Sequence, residues 1–284
     1  MNFDKVEKIF IVAFALLNVF LFISYINRQN IQHISADTNP VDILSEMSTS
    51  GIQMPKKLKK ETKQQKVYSM QANAHQLLED EKDTLKNQAG SIDEDGALYR
   101  SLLSNPLTLR GNPKDGFGQD DIKKLNEALN SNLFLFGSEY KYSHFASDRK
   151  QFIFQQVVDG IPVADGTSEI VLNVDEDGKV FSYEQTYAGP MTKQGHPITI
   201  ISAVRAVEVL FINNKIARDA KLSMPQLTYR RSLHLDDLSM YTPAWLVEVE
   251  TEAGEMDTLR VDAINGTILK DEAVTKVDET AEEE

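Results

Sequence analysis

The chain of 284 residues contains no cysteine and few histidines. The absence of cysteine excludes disulfides, thiolate zinc sites, iron–sulfur clusters and thiol nucleophiles. The histidines are His33, His75, His144, His196 and His234. They form neither a pair four residues apart nor an HExxH motif, and the sequence also lacks a G-x-S-x-G elbow, a P-loop and a G-x-G-x-x-G turn. We therefore predict a protein that is not an enzyme and has no cofactor and no metal site.

Clustered carboxylates leave two further chemistries to consider. The turns Asp93 to Gly96 and Asp175 to Gly178 resemble calcium loops in composition, since carboxylates suit a hard cation. The EF-hand spacing fails in both, because Ala97 and Lys179 stand at a ligand position, and we predict ordinary turns. A paired-carboxylate envelope hydrolase stays open, because such pairs meet only in the tertiary structure.

The net charge of −13 is concentrated at the C-terminus, where residues 271–284 hold seven acidic side chains and one lysine. Residues 272–284 are therefore predicted to be a disordered acidic tail. The densest basic run, Lys56 to Lys66, contains six lysines and one glutamate. It has no aromatic anchor, so a solvated loop or helix face is favoured over contact with anionic lipid. One short basic run does not predict binding to nucleic acid.

Residues 9–26 read IFIVAFALLNVFLFISYI and carry no charge. As a helix they would be about 27 Å long, close to the hydrocarbon thickness of a bilayer. Lys5 and Lys8 precede this segment and only Arg28 follows closely, which predicts a cytoplasmic N-terminus and an extracellular C-terminal part. No small-residue cleavage site follows. We predict an uncleaved anchor and a single-pass protein of the cell membrane, in contact with lipid.

Asn18 is the only amide in this apolar segment and lies near its middle. In hydrocarbon its side chain must bond either a backbone carbonyl of its own helix or a polar group on a neighbouring helix. Both alternatives stay open. The second makes Asn18 the one residue that we predict to contact a partner.

The rest of the chain is predicted to be α+β, with helices packed on antiparallel sheets. The expected order is a cytoplasmic tail (1–8), the anchor (9–26), a stalk (27–40), an N-terminal extracytoplasmic region (41–111), two repeat units (119–190 and 199–271) and the acidic tail (272–284). Within the N-terminal region we expect a strand over 64–73 and a helix over 75–88. Prolines and turn residues predict a boundary near Gly111.

Each repeat unit is predicted to contain one helix followed by four strands. The first helix is expected to begin with Asp120 as its N-cap, and the second to span residues 202–213. The predicted strands are 137–145, 151–158, 167–174 and 179–187 in the first unit and 226–233, 244–250, 257–263 and 267–270 in the second. Both units end in a strand, a tight turn and a strand, with Asp177-Gly178 and Asn265-Gly266 in the turns.

Several segments resemble the YycI family. They are the Met1 to Lys5 tail before the anchor, the segment Gly51 to Pro55, and the run Gln155 to Val163 (QQVVDGIPV) followed by the Asp177-Gly178 hairpin. The resemblance covers the chain except for its acidic tail. The second half is also similar to PepSY-type modules, in which strands end in a V-D-x-x-x-G-x-I element, as at Val261 to Ile268.

The resemblance implies a regulator without an active site, from Gram-positive bacteria, acting in cell wall homeostasis. Its implied partners are a two-component sensor histidine kinase of the WalK (YycG) type and a YycH-like membrane protein. Contacts would run through the transmembrane helix and the extracytoplasmic part. The alternative is a PepSY-type inhibitor or chaperone of an extracellular peptidase, with the D-G-I-P-V segment as its contact surface. The sign of the regulation stays open.

Overall fold

The computed structural model describes residues 11, 14–21, 43–73, 77–235 and 238–270. The chain divides into two units, Met1–Ser50 and Gly51–Glu284. In the first unit, residues 14–21 are helical and helix α1 spans Ile43–Thr49. Within the described ranges, no helix is long and apolar enough to cross a membrane. The predicted tail, stalk and acidic tail, and half of the predicted anchor, lie outside the described residues.

The second unit contains three α-helices and fourteen strands among its described residues. The helices are α2 (Leu77–Glu81), α3 (Gln119–Leu129) and α4 (Ala203–Ile212), and short 3-10 helices span Leu58–Lys60, Lys82–Thr84 and Gly137–Glu139. The strands are β1 (Lys66–Asn73), β2 (Gln88–Ile92), β3 (Leu98–Thr108), β4 (Tyr140–Ala146), β5 (Gln151–Val158), β6 (Ile161–Pro162), β7 (Glu169–Val174), β8 (Lys179–Thr186), β9 (Met191–Thr199), β10 (Lys221–Leu222), β11 (Gln226–Leu235), β12 (Leu238–Glu250), β13 (Met256–Asp262) and β14 (Ile268–Leu269).

These strands form two sheets. The first sheet has the order β2-β3-β8-β7-β5-β4, with β6 beside β5. The second sheet is built around the long strand β12, which pairs with β10, β11, β1 and β13, while β9 lies beside β1 and β14 beside β13. Every strand pair within the sheets is antiparallel. The α+β prediction with antiparallel sheets is confirmed.

An aromatic core fills the space between α3 and the first sheet. Leu125 and Leu129 of α3 are buried with Phe152 and Phe154 of β5. Phe117, just before α3, packs edge-on against Phe152, with ring centroids 4.6 Å apart. Burying large aromatic side chains in such edge-to-face pairs stabilises the layer through lost apolar surface and favourable ring geometry.

Helix α4 contacts β12 and β13 of the second sheet. Ser202 is its N-cap, because the Ser202 hydroxyl accepts a hydrogen bond from Arg205 N at 3.2 Å. Trp245 of β12 donates its indole N–H to Ile201 O at 2.9 Å, and Val247 on the same strand is fully buried. Buried residues alternate with more exposed ones along β12, and its buried apolar side chains lie beneath α4.

Four strands after each long helix have a matching spatial order, apart from the short strands β6 and β10. After α3, the strands of the first sheet run in the spatial order β8-β7-β5-β4, and after α4 those of the second run β14-β13-β12-β11. The internal repeat itself stays a prediction. Several boundaries differ from those predicted: β4 begins at Tyr140, β12 begins at Leu238, and the N-cap of α3 is Gly118 rather than Asp120. The side chain that caps the N-terminus of α3 is that of Asp121, whose carboxylate accepts the Gly118 N–H at 3.1 Å.

The predicted N-terminal region, residues 41–111, differs most from its prediction. Its strand β1 lies in the second sheet, between β12 and β9, whereas its hairpin β2–β3 extends the first sheet. Since β3 pairs with β8, residues on both sides of Gly111 belong to one sheet, and no separation occurs there. The helix expected over 75–88 is restricted to Leu77–Glu81 and one 3-10 turn. Strands β2, β3 and β9 and the short strands β6 and β10 had no counterpart among the predicted elements.

Candidate functional site

Residues 159–167 connect the two sheets, and we call them the intersheet segment. The segment contains the whole D-G-I-P-V motif, Asp159 to Val163. Ile161 and Pro162 pair with β5 of the first sheet, and Val163 then forms a parallel bridge with Tyr229 of the second sheet. Ala164 N donates to Tyr229 O at 3.1 Å, and the Val163 side chain is only 1% exposed. The motif therefore provides a backbone connection between the sheets.

Asp165 strengthens this connection through both of its carboxylate oxygens. Oδ2 accepts the backbone N–H of Arg231 in β11 at 2.6 Å. Oδ1 accepts the hydroxyl and the backbone N–H of Thr167 at 2.6 and 3.1 Å, and the Thr167 hydroxyl lies 3.1 Å from Tyr241 Oη. At one end of the segment, Asp159 forms an ion pair with Lys193 at 2.7 Å. These contacts hold the two sheets in a fixed relation.

Glu169, next to this segment, is a carboxylate with a raised pKa, as a catalytic general acid requires. Burial raises the pKa of Glu169 above its usual value, and the nearby Asp165 carboxylate adds to the rise. A paired-carboxylate hydrolase would need the second carboxylate free to act as a base or nucleophile. Asp165 instead accepts three hydrogen bonds from the protein itself. The pair is thus better explained as part of the intersheet contact.

A shallow cleft lies at the N-terminal end of α3. It is lined by Arg110, Gly111, Gly118, Gln119, Asp120 and Asp121. Asp120 pairs with the guanidinium of Arg110 at 2.6 Å. Asp121 accepts three backbone N–H groups, which lower the pKa of its carboxyl despite the opposing effect of burial. A general acid needs a raised pKa, so this carboxylate is suited to capping the helix rather than to proton transfer.

The two acidic turns use their carboxylates locally. Asp93 Oδ1 accepts the N–H groups of Ala97 and Leu98 at 2.8 and 3.0 Å. Asp175 Oδ1 accepts those of Asp177 and Lys179 at 3.0 and 2.8 Å. Over the residues that the structure describes, no group of three or more His, Asp or Glu side chains could hold a metal ion. The predicted turn chemistry explains both clusters.

Asn18, the predicted partner contact, lies in the helical stretch 14–21. Its side-chain Nδ2 donates to Phe14 O, four residues earlier, at 2.8 Å. This is the first of the two alternatives, a bond within its own helix. The Asn18 side chain is exposed, and a contact with a neighbouring helix stays a prediction.

The family comparison bears on what these features mean. The family model for the YycI protein matches residues 29–264. The chain belongs to the YycI family. The match includes the first sheet, the second sheet except β14, the intersheet segment and α3, so the predicted family is confirmed. The Met1 to Lys5 tail and the segment 9–26 lie outside the matched residues. YycI proteins form an accessory regulatory family of the YycG (WalK) sensor kinase system and are not known as enzymes.

Other comparisons add little. No curated protein matches the chain. Among solved structures, it is similar to an uncharacterized protein from Eubacterium rectale, with 12% sequence identity and a TM-score of 0.43. That likeness covers 72% of this chain and 86% of the other. The functional conclusion therefore depends on membership of the YycI family and on the residues described above.

Proposed function

We propose that this YycI protein is a non-catalytic, membrane-anchored regulator of a sensor histidine kinase of the WalK (YycG) type. The family match over residues 29–264 carries the proposal. The site geometry supports it, because the perturbed carboxylates Glu169 and Asp121 belong to internal contacts of the fold. A regulator of this kind needs binding surfaces rather than an active site.

The proposed anchor is the apolar segment 9–26, with the N-terminus in the cytoplasm and the sheets outside the cell. Its helix would pack beside the transmembrane helices of the kinase and of a YycH-like protein. A helix that binds one of two kinase arrangements more tightly shifts their populations by its differential affinity. A difference of about 1.4 kcal/mol already changes the population ratio tenfold, so a modest interhelical contact suffices.

Asn18 is the residue of the anchor that we propose for such a contact. Its Nδ2 bonds Phe14 O within the helix. An amide oxygen has two lone pairs, and none of the described residues donates a hydrogen bond to Asn18 Oδ1. A donor on a neighbouring helix could therefore bond Oδ1 without breaking the internal bond. Interhelical polar bonds in membranes average about 0.6 kcal/mol and reach about 2, equivalent to roughly threefold to thirtyfold in association.

The test compares two substitutions in the full-length protein. Asn18→Leu keeps the segment apolar but removes the amide, and we expect about threefold lower recovery of the kinase or the YycH-like protein after cross-linking in membranes. Leu17→Ala, one position around the helix, is the control and should have a smaller effect. Equal recovery for wild type and both variants, at matched expression, would contradict the role of Asn18. Recovery of a secreted peptidase in place of the kinase would contradict the proposed function itself.

A further inference from the structure

Strand β2 forms one edge of the first sheet and has an open hydrogen-bonding side. It pairs only with β3, from Gln88↔Leu103 to Ile92↔Tyr99. Asn87 and Asp93, at the two ends of β2, direct backbone groups towards β3. Ser104 N donates to Asn87 O at 2.9 Å, and Asp93 N donates to Leu98 O at 3.0 Å. Since bonded and non-bonded pairs alternate in an antiparallel ladder, the residues between them direct their backbone groups away from β3.

The outward-directed residues are Gln88, Gly90 and Ile92. Among the described residues, none forms a backbone hydrogen bond with their outward N–H or C=O groups. The middle of the strand is exposed to solvent, including Ala89 and Ser91 on the opposite face. An exposed, unpaired strand edge of this kind is a ready template for another strand.

Two longer edge strands are protected in ways that β2 is not. Strand β9 carries Lys193, a glycine with positive φ at Gly195, and Pro197. Strand β4 has a register shift between Tyr142 and His144. Charges, prolines and bulges are the usual means by which proteins prevent edge-to-edge pairing. The sequence of β2, QAGSI, has no charge, no proline and an uninterrupted register with β3.

Gly90 makes the centre of this edge accessible. A Cβ atom added at Gly90 would lie 1.9 Å from Tyr99 Oη, so glycine is required while the Tyr99 ring stays in place. Tyr99 is buried and covers the strand from the core side. The neighbours on the other face, Ala89 and Ser91, have small side chains. A second backbone can therefore approach β2 without meeting a large side chain.

We propose that β2 pairs antiparallel with β2 of a second copy of this chain, with Gly90 facing Gly90. In this register Gln88 faces Ile92 of the second copy, so all the outward-directed residues are paired and each pair exchanges two hydrogen bonds. Centring the pairing on Ala89 or Ser91 would leave one outward residue of each copy without a partner. The contact is two-fold symmetric and continues the first sheet into the second copy.

Opposite charges flank the two ends of β2. Lys86 lies before the strand, and Glu94 lies in the turn after it, and both are exposed. Antiparallel pairing of two copies brings the Lys86 end of each strand towards the Glu94 end of the other. Such an edge contact is much smaller than the roughly 1,200–2,000 Å² buried in a stable interface. The dimer should therefore be weak, and trapping it is the appropriate test.

Cysteine trapping is direct because the chain has no cysteine of its own. In the proposed register Ala89 faces Ser91 of the second copy in a non-hydrogen-bonded pair, with Cα atoms about 4.5 Å apart, within disulfide range. We expect a full-length chain with Ala89→Cys and a differently tagged chain with Ser91→Cys to form mixed disulfide dimers in detergent. The yield should exceed that of either variant alone several-fold, because identical positions lie about 7–8 Å apart on the diagonal. No excess of mixed dimers, or efficient cross-linking of Ala89→Cys alone, would overturn the proposed pairing.

A charge test gives an independent check in membranes. Ala89→Lys with Ser91→Lys places lysine opposite lysine across the interface, and co-precipitation of two differently tagged full-length copies should fall several-fold. Ala89→Lys with Ser91→Glu places opposite charges together and should restore it. Both positions are exposed, so the fold should tolerate either pair of substitutions. Equal co-precipitation of both double variants would refute the contact. The inference does not depend on the kinase proposal, because both tests use this chain alone.

Discussion

Replacement of Asp121 tests how the cleft at the start of α3 is held together. The Asp121 side chain is 3% exposed and accepts the backbone N–H groups of Arg110, Gly111 and Gly118 at 2.7, 3.2 and 3.1 Å. These bonds tie the loop after β3 to the first turn of α3. Asp121→Ala removes the acceptor of all three N–H groups and leaves them without a protein partner.

The expected loss of folding stability follows from these three hydrogen bonds. A hydrogen bond to a charged group contributes about 1.5–3 kcal/mol, but the three bonds share one carboxylate and water in the cleft can replace some of them. We expect Asp121→Ala to lower the free energy of unfolding by about 2–4 kcal/mol. For a folded unit of about 150–250 residues this corresponds to a melting temperature roughly 4–16 °C lower.

Asp120→Ala is the matched control. Asp120 lies one position away and pairs with Arg110 at 2.6 Å, but the two side chains are 74% and 83% exposed. Exposed ion pairs contribute about 0–1 kcal/mol, so this variant should melt within a few degrees of wild type. Thermal unfolding of the full chain in detergent, followed by circular dichroism, measures both. Equal losses for the two variants would refute the assigned role of Asp121.

The pH dependence supplies a second test of the same carboxylate. The folded-state pKa of Asp121 is lowered, so its contribution is fully present above the unfolded pKa of about 3.9 and is lost as pH falls through the folded value. The difference in melting temperature between wild type and Asp121→Asn should therefore be largest near neutral pH and shrink at pH values below about 4. A difference that stays constant over this range would contradict the ionised, multiply bonded state.

Two further substitutions test the packing of the first sheet. Gly137→Ala should destabilise the fold by at least about 2 kcal/mol, because its Cβ would lie 2.0 Å from Leu129 O at the end of α3. Gly118→Ala, whose Cβ meets no atom within 4 Å, is the control and should change stability far less. Gln156→Leu should cost about 2–4 kcal/mol, because the fully buried Gln156 bonds two side chains and one backbone carbonyl. Urea denaturation measures all three, and wild-type midpoints for Gly137→Ala or Gln156→Leu would contradict these contacts.

The elements that the sequence predicted well are those with one buried face. Strand β7 was expected over 167–174 and occurs at Glu169–Val174 with alternating buried residues, and the helix expected over 202–213 occurs at Ala203–Ile212. Their apolar side chains repeat with the period of the element, because each packs against a layer on one side. The Asp177-Gly178 turn was also predictable, since Gly178 adopts a φ of +77° that favours glycine.

Two of the strands that were missed lack this periodicity. Strands β2 and β9 are mostly exposed, so neither presents an alternating apolar face. Strand β3 does alternate between buried and exposed residues, but the buried Ser101 is polar and Leu102 is 60% exposed, so its sequence does not show the alternation. Strands β3 and β9 also pair with β8 and β1, which are distant in the sequence. The expected boundary near Gly111 failed for the same reason. Prolines and glycines mark a loop, but they do not show whether the strands on either side share a sheet.

The candidate sites show a similar limit. The sequence identified the acidic turns correctly as turns, because Asp, Asn and Gly act on neighbouring backbone groups. It did not predict that Asp121 caps the loop before α3, or that Asp165 bonds Arg231 in the other sheet. Both contacts need the tertiary arrangement. For Asn18, the sequence left two partners open, and the structure contains the bond to Phe14 O while the second alternative stays a prediction.

The intersheet segment limits which surfaces a partner of this YycI protein can use. A peptidase that bound the D-G-I-P-V motif directly would have to pull out Val163, whose side chain is buried (1% exposed). It would also have to break the hydrogen bond from Ala164 N to Tyr229 O. Extracting a buried valine costs about 1.5–3 kcal/mol, and an unpaired buried N–H costs a similar amount. A partner that leaves this segment in place avoids both costs. Contacts through the N-terminal helix and exposed strand edges are therefore favoured, because binding there needs no rearrangement of the two sheets.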